Sequence, residues 1–562
     1  MFNKNNNNRL NVVICWHMHQ PEYRAGSRGE YQQPWTYLHA IKDYVDMAAH
    51  LENQPQGKAV VNFAPTLLEQ LQDYTQQMHA FLHNGESLRD PFLNALITPA
   101  LPVETEQRLS LIKACLRANK GRIIDRFPAF RRLAEIADWL QHNIDAVRYL
   151  NHQFLVDILM WYHLAWLGET VRRTNPNVQR LMSKGHSFTL HERRELFEII
   201  YELTCSVIPR FKSLAEKGQI ELSMTPYAHP IIPLLLDIQS AKEAAPNVPL
   251  PKYKKYDGGE MRVRWHIQTG LEVFEKCFGI KPKGCWPSEG GVSDATVRIL
   301  ESEKFQWVAS GENVLRHSFH HAKTDQLSAH QAFHLQHSDI ACFFRDDKLS
   351  DLIGFEYTKW HADDAVANLI NQLEDIARSH FDPQQKVVSL ILDGENAWEY
   401  YPENGFYFLS VLYQRLAASP YLKLTTFSDC LKQPVPKAML PMLVAGSWVY
   451  GTFSTWIGDK DKNRGWEMLI EAKRAFDNKI KKLDKERQTA AERQLAICEG
   501  SDWFWWFGDY NPSHSVSDFE RLFRLQLATL YHLLGVEPPD YLGCAFTHGG
   551  GAPESGGVMR RN

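Results

Sequence analysis

Four short apolar runs punctuate the chain, and each breaks into a polar cluster at its C-terminal end. Residues 10–15 lead into Trp16-His17-Met18-His19-Gln20-Pro21, and residues 219–223 into Thr225-Pro226-Tyr227-Ala228-His229-Pro230. Residues 283–286 lead into Pro287-Ser288-Glu289-Gly290-Gly291, and residues 387–392 (VVSLIL) into Asp393-Gly394-Glu395-Asn396. Their length and apolar continuity predict buried strands. Lesser runs at 58–63, 306–309, 340–344 and 422–425 add further candidates. Between them the apolar period lengthens to that of helices, over 261–278, 293–302 and 362–380, the second opened by Ser293 as cap with Asp294 in its first turn. Strands alternating with helices predict an α/β fold, a parallel sheet or barrel, whose functional residues sit on the loops after the strands.

Two stretches leave that rhythm. Residues 105–217 are helical in pattern, with clear breaks at Asn175-Pro176 and Gly185, and read as an all-helical insertion. From 432 onward strand signals fade and helices are expected at 462–483, 485–498 and 516–534, with Pro434-Val435-Pro436 as boundary. The expected organisation is therefore a catalytic domain over 1–431, a helical C-terminal domain over 432–546, and a Gly-rich disordered tail over 547–562.

Composition narrows the partners. With 562 residues, 44% of them hydrophobic, the chain can bury a large core. Its 62 basic and 66 acidic side chains leave a net charge of -4, without the basic face that nucleic-acid binding needs. No apolar run approaches 18 residues, and the Asn-rich start lacks a secretory apolar segment, so neither membrane insertion nor secretion is expected. The nine cysteines are scattered and contain no C-x-x-C pair, which predicts reduced thiols in a cytoplasmic protein. The excess lies in aromatics: 16 Trp, 21 Tyr and 29 Phe. Indoles line sites that stack flat, partly apolar ligands.

The candidate chemistry gathers on the post-strand clusters. Glu289 follows a short strand beside Trp286 and two glycines, a setting for a nucleophilic carboxylate; the alternative is a helix-start turn. Asp393 ends a six-residue apolar run, with Glu395, Asn396 and Trp398 on the same loop; the alternative is a tight Asp393-Gly394 turn. Two carboxylates on different strand ends are what glycosidic cleavage requires, one attacking the anomeric carbon or activating water and the other protonating the leaving oxygen. Sugar rings also present apolar faces to indoles. His17 and His19 have a metal-ligand spacing, with His229 or Asp393 as third ligand, and equally the chemistry to bind sugar hydroxyls. No H-E-x-x-H is present, and no metal or other cofactor is expected. The cluster from Gly446 through Trp448 to Trp456 and Asp459 reads as a ligand-facing loop, whereas Trp503, Trp505 and Trp506 are divided between helical core and cleft wall. The glycines 549–551 lack a preceding strand and a P-loop lysine, so nucleotide binding is unsupported.

The segments CWHMHQPEY, GQIELSMTPYAHPIIPLL, GCWPSEGG, LDGENAWEYYPENG and GSWVYGTFSTWIGDKDKN resemble the five ordered motifs of glycoside hydrolase family 57, in its α-amylase and amylopullulanase-like branch. The resemblance implies an incomplete (β/α)7 TIM-like barrel with a helical C-terminal domain, retaining cleavage of α-glucosidic links, and an α-glucan or maltooligosaccharide substrate. It places the nucleophile on Glu289 and the acid/base on Asp393. It matches His19 and His229 to substrate-binding histidines, with His17 beside them, and Trp286, Glu395 and Trp398 to the surroundings of the two carboxylates. Trp448, Trp456 and Asp459 fall on the fifth motif as substrate-binding candidates. A 4-α-glucanotransferase or branching enzyme would use the same carboxylates. A metal-dependent sugar hydrolase or deacetylase, and a non-catalytic glucan-binding protein, are the more distant alternatives.

Overall fold

Strand pairing organises the chain into one sheet of ten strands: β1 (Leu10–Met18), β2 (Ala59–Phe63), β3 (Ile220–Met224), β4 (Gly284–Cys285), β5 (Trp307–Ser310), β6 (Ala332–Leu335), β7 (Ala341–Phe344), β8 (Val387–Asp393), β9 (Leu422–Thr425) and β10 (Lys437–Leu440). The computed structural model describes residues 8–26, 29–325, 327–433 and 435–551. All pairings are parallel except β6 with β7. β1 is the hub. β8 runs along one side of it from Asn11↔Val387 to His17↔Asp393, while β9 takes its first half and β2 its second.

The sheet curls round on itself. From β1 it passes through β2, β3, β4 and β5 to β7, and a single bridge, Arg345↔Ser389, then joins the end of β7 to β8. Asp346 N donates to Ser389 O across this seam at 2.8 Å. β6 and β10 continue outward from β7 as a flap. The strands read as unbroken apolar runs because they are covered on both faces. Val13, Cys15, Val60, Trp307, Ala309, Phe343 and Ile391 form one core cluster inside the ring, and their alternate neighbours pack outward against helices. With a period of two along each strand, the columns 13-15, 60, 343 and 391 end in His17, Asn62, Arg345 and Asp393. The side-chain period of the fold thus delivers polar groups to one rim.

Most expected elements are present. β1 runs to Met18, beyond the apolar run, because β2 pairs with it as far as Met18 and β8 as far as His17. Ser293 accepts from Thr296 N and caps the helix Asp294–Ser302 as its sequence predicts. β6 and β10 were not anticipated; β10 (KAML) is a partly exposed four-residue edge with no apolar run to announce it. The interval from β2 to β3 is helical from Pro65 onward, not only from 105, and it breaks more often than two signals suggested, as at Asn119, Asn143 and Gly168. Near the C-terminus, helices Lys460–Lys479, Lys485–Cys498, Asp502–Trp506 and Ser513–Leu533 pack beside the ring. They are docked by Glu499, which is buried and accepts from Arg262 Nε (2.9 Å) and faces His266 Nε2 (2.8 Å), both on helix Gly259–Phe278. Of the expected tail, Thr547 is buried and donates to Asp461 Oδ2 at 2.8 Å, while residues 552–562, like Pro434 of the expected boundary, lie outside the described residues. All nine cysteines are free thiols. Among the described residues no helix is long and apolar enough to cross a membrane.

Candidate active site

The polar rim opens into a cleft of about 520 Å³ lined by His17, His19, His229, Glu289, Asp393, Glu395 and Trp448, among others. Three imidazoles form its floor. His17 Nδ1 lies 2.7 Å from Asn62 Oδ1, and its Nε2 lies 3.2 Å from His229 Nε2. His229 Nδ1 faces Ser501 Oγ at 2.7 Å, and His19 Nε2 faces Asp502 Oδ1 at 2.7 Å. The rings are stacked, with His19 and His229 centroids 3.8 Å apart and 14° from parallel. Burial, with His19 beside it, lowers His17 to about 3, and burial lowers His229 well below the usual imidazole range. Ring nitrogens of His19 and His229 and an oxygen of Asp502 lie within 4.8 Å of one another, the spacing of a metal set. A ring nitrogen's lone pair lies in the ring plane, however, so nearly parallel stacked rings direct theirs side by side rather than at one point. Each of the three imidazoles has a hydrogen-bond partner here: Asn62, Asp502 and Ser501.

The two carboxylates reach the cleft by different routes. Glu289 sits in the tight turn Ser288–Gly290 with left-handed φ 58° and ψ 24°, followed by Gly290 at φ 60°. Ser310 Oγ donates to Gly290 O at 2.6 Å and pins that turn to β5. Trp448 Nε1 donates to Glu289 Oε2 at 2.9 Å, and His229 Nδ1 stands 4.0 Å from Glu289 Oε1. His229 also has a left-handed backbone, at φ 59°. Asp393 is the last residue of β8, opposite His17, and accepts from Asn396 Nδ2 at 2.8 Å. Burial pushes its carboxyl up to about 6, against the opposing pull of Asn396 and His19. Gly394 donates to His17 O at 2.7 Å; a Cβ there would overlap Met18 Sδ, so glycine lets the chain leave β8 beside β1 without displacing that side chain. Glu289 thus sits in a tight turn ahead of helix Asp294–Ser302, whereas Asp393 closes β8 and Gly394 bonds back to β1 rather than forming a tight turn.

Glu395 lies behind Asp393, fully buried. Its Oε1 accepts from His19 N (3.1 Å), Gln20 Nε2 (3.2 Å) and Tyr44 OH (3.3 Å). Burial, then the neighbouring Asp393, raise its carboxyl well above the carboxylate range. Arg345 is buried at the seam, paired with Asp347 (2.9 Å) and Asp351 (2.7 Å), its guanidinium 5.5 Å from the Trp448 ring.

Four expected residues do not line the cleft. Trp286 is buried behind Glu289 and meets Trp448 edge-on at 5.3 Å. Trp398 packs against Trp16 (5.6 Å) and donates to Gly394 O (2.9 Å), bracing the Asp393 loop from outside. Trp456 is buried against Trp505 (5.9 Å), and Asp459 accepts from Asp461 N as the cap of helix Lys460–Lys479. Conversely, Trp505 and Trp506 are cleft wall, whereas Trp503 is core beside Phe523. Sequence reasoning missed Asn62, Arg345, Ser501 and Asp502. Arg345 carried the same signal as Asp393, a charge closing an apolar run. Ser501-Asp502 opened the aromatic cluster from Ser501 to Asp509, which read as the core of the helical domain.

A curled ring of parallel strands whose rim gathers two carboxylates, three imidazoles and an indole defines an enzyme of the glycoside hydrolase kind. The model of glycosyl hydrolase family 57 matches residues 13–443, and the chain belongs to that family. Its structure resembles that of a GH57 branching enzyme from Thermococcus kodakaraensis, with a TM-score of 0.57 and 14% identity, over 96% of this chain and 92% of that one. It also resembles the α-amylase AmyC from Thermotoga maritima (TM-score 0.52, 14% identity, 94% and 97% covered). A third likeness is to the 4-α-glucanotransferase from Thermococcus litoralis (TM-score 0.51, 14% identity, 93% and 60% covered). At these identities the likeness is one of fold. No curated protein matches the chain by sequence.

Proposed function

We propose that the chain cleaves α-glucosidic bonds by double displacement, as a retaining enzyme of the amylase or amylopullulanase type acting on an α-glucan or maltooligosaccharide. Glu289 attacks the anomeric carbon as the bond to the departing sugar breaks, and Asp393 gives its proton to the leaving oxygen. Asp393 then takes a proton from the incoming water, which displaces Glu289 from the anomeric carbon. The observation that carries this reading is the contrast between the two carboxylates. Glu289 Oε2 is oriented by an indole N–H, a group that can only donate, while Asp393 is held by burial at about 6, where it exchanges a proton near neutral pH. In this reading the barrel spans 1–431 with its helical insertion at 105–217. The C-terminal domain of this reading, 432–546, begins with β10 and then turns helical, and it lines the cleft with Asp502, Trp505 and Trp506. The free, mostly buried thiols fit a cytoplasmic setting.

One observation favours a second outcome from the same intermediate. Trp505, Trp506, Phe519 and Val449 make part of the cleft wall apolar, which suits an acceptor sugar better than water. Transfer, as in a glucanotransferase or branching enzyme, is that outcome. Incubation with maltooligosaccharides, read by product length and by NMR of the new anomeric centre, tests both readings. Shorter products born as α-anomers support hydrolysis with retention, and longer, cyclic or branched products support transfer. Initial β-anomers, or an unchanged substrate, overturn the assignment.

A further inference from the structure

Asn62 sets the direction of a hydrogen-bonded chain that ends in the C-terminal helices. Its Nδ2 donates to Ser223 Oγ (3.1 Å), so its Oδ1 is the atom facing His17 Nδ1 at 2.7 Å. An amide oxygen has no hydrogen to give, so His17 carries its hydrogen on Nδ1 and its Nε2 is bare. That bare nitrogen lies 3.2 Å from His229 Nε2, which therefore carries the hydrogen. His229 Nδ1 is then bare in turn and accepts from Ser501 Oγ at 2.7 Å, while Ser501 N donates to His229 O at 2.9 Å. The next residue, Asp502, accepts from His19 Nε2 at 2.7 Å. One dipeptide corner thus faces two of the three site imidazoles, and it lies outside the 13–443 stretch that matches the family.

We propose that Ser501 and Asp502 are positioning residues: Ser501 holds, from the far end, the His229 tautomer that Asn62 favours through His17, Asp502 holds that of His19, and the Ser501 contact keeps a His229 Nδ1 N–H away from Glu289 Oε1. A hydrogen on His229 Nδ1 would face Glu289 Oε1, which lies 4.0 Å from that nitrogen, and draw that oxygen into a donor–acceptor pair. With the serine hydroxyl donating, the bare nitrogen and the carboxylate oxygen are both acceptors and do not engage. His19 is fixed in the same sense, since a carboxylate beside Nε2 demands a hydrogen there. The kinetic part of this inference rests on Glu289 being the nucleophile; the tautomer part does not.

The test uses the full chain labelled with [15N]histidine, in which long-range proton–nitrogen spectra distinguish a bare ring nitrogen from an N–H. His229 is assigned from the signals lost in His229→Gln. In the wild type, His229 Nδ1 should resonate as a bare nitrogen, and Ser501→Ala should move it towards the N–H position while Ser501→Thr holds it. A protonated Nδ1 in the wild type, or no movement in Ser501→Ala, overturns the proposal whether or not the protein turns over glucan. In turnover, Ser501→Ala should lower kcat about tenfold with KM within about twofold, and Ser501→Thr should restore most of the loss. A loss confined to KM, or one that threonine does not rescue, overturns the link to the nucleophile. Absence of wild-type turnover with the expected spectra would count against the proposed function alone.

Discussion

Trp448 holds Glu289 from two directions at once: its indole Nε1 donates to the carboxylate Oε2 at 2.9 Å, and its backbone N–H donates to the Glu289 carbonyl at 3.0 Å. The indole is fixed in turn by Trp286 edge-on behind it and by the Arg345 guanidinium over its ring. A hydrogen bond to a charged acceptor contributes about 1.5–3 kcal/mol, or roughly ten- to a hundredfold in rate if it is lost at the transition state. Trp448→Phe keeps the ring stacking and removes the donor. Its kcat/KM should fall by that range while the melting temperature stays close to wild type. A rate within twofold of wild type would show that the indole does not orient the attacking group.

The two carboxylates are separable by leaving group. Glu289→Gln should abolish turnover of every substrate, since no glycosyl–enzyme bond can form. Asp393→Ala should lose about 10²–10⁴-fold on natural glucans, which need a protonated leaving oxygen. On an aryl glycoside whose phenol leaves unaided, Asp393→Ala should retain the first step and show a burst of phenol followed by slow release. Equal losses on both substrates would reverse or remove the assignment.

The pH profile follows from Asp393. As acid it must hold its proton, so kcat/KM should decline as pH rises through about 6. The amide of Asn396 donates to Asp393 Oδ2 and favours the ionised form. Asn396→Ala removes that donor, so the carboxyl should titrate higher and the alkaline limb should move to higher pH. A limb that stays in place, or moves down, would show that another group controls it.

Stability should depend on Glu499, which docks the C-terminal helices two residues before Ser501. Burial alone would raise this carboxyl; Arg262 and His266 overcome it and hold it at about 2. Its folded value is below its unfolded value of about 4.5, so the contribution is full above that pH and is lost as pH falls towards about 2. Glu499→Gln leaves Arg262 buried without its counter-charge and should cost about 3–5 kcal/mol in denaturant unfolding at neutral pH. The difference between variant and wild type should shrink as the pH is lowered through that window. A cost that does not change with pH would place the effect in packing rather than charge.

The strands that build the rim were legible because burial on both faces leaves unbroken apolar runs, and the polar residue that ends such a run is conspicuous against it. Asp393 and His17 were found this way. Arg345 and Asn62 obey the same rule, but on shorter runs where a single polar residue looks like ordinary strand termination. Glu289 was visible through its glycines. What sequence pattern does not carry is which distant segment folds back onto the site. Ser501 and Asp502 are separated from His229 and His19 by hundreds of residues, and their local pattern reads as the core of the helical domain. Tryptophan counts were a guide to the presence of an aromatic wall and a poor one to its members. Trp286, Trp398 and Trp456 lie beside motif residues in sequence but are buried behind the cleft wall: Trp286 in the core inside the ring, Trp398 against Trp16 and Trp456 against Trp505.

The left-handed backbone at Glu289 and His229 carries a thermodynamic signature of its own. Each side chain bears a Cβ where glycine would be relaxed, at about 1–2 kcal/mol per residue. Glu289→Gly and Glu289→Ala both lose the Trp448 bond, and the glycine variant should melt no earlier than the alanine one, since its relief of this strain offsets glycine's entropic cost. In the proposed mechanism, then, the attacking carboxylate is carried by a backbone conformation that folding alone would relax, so the strain at this turn is stored at the place where the reaction is proposed to occur.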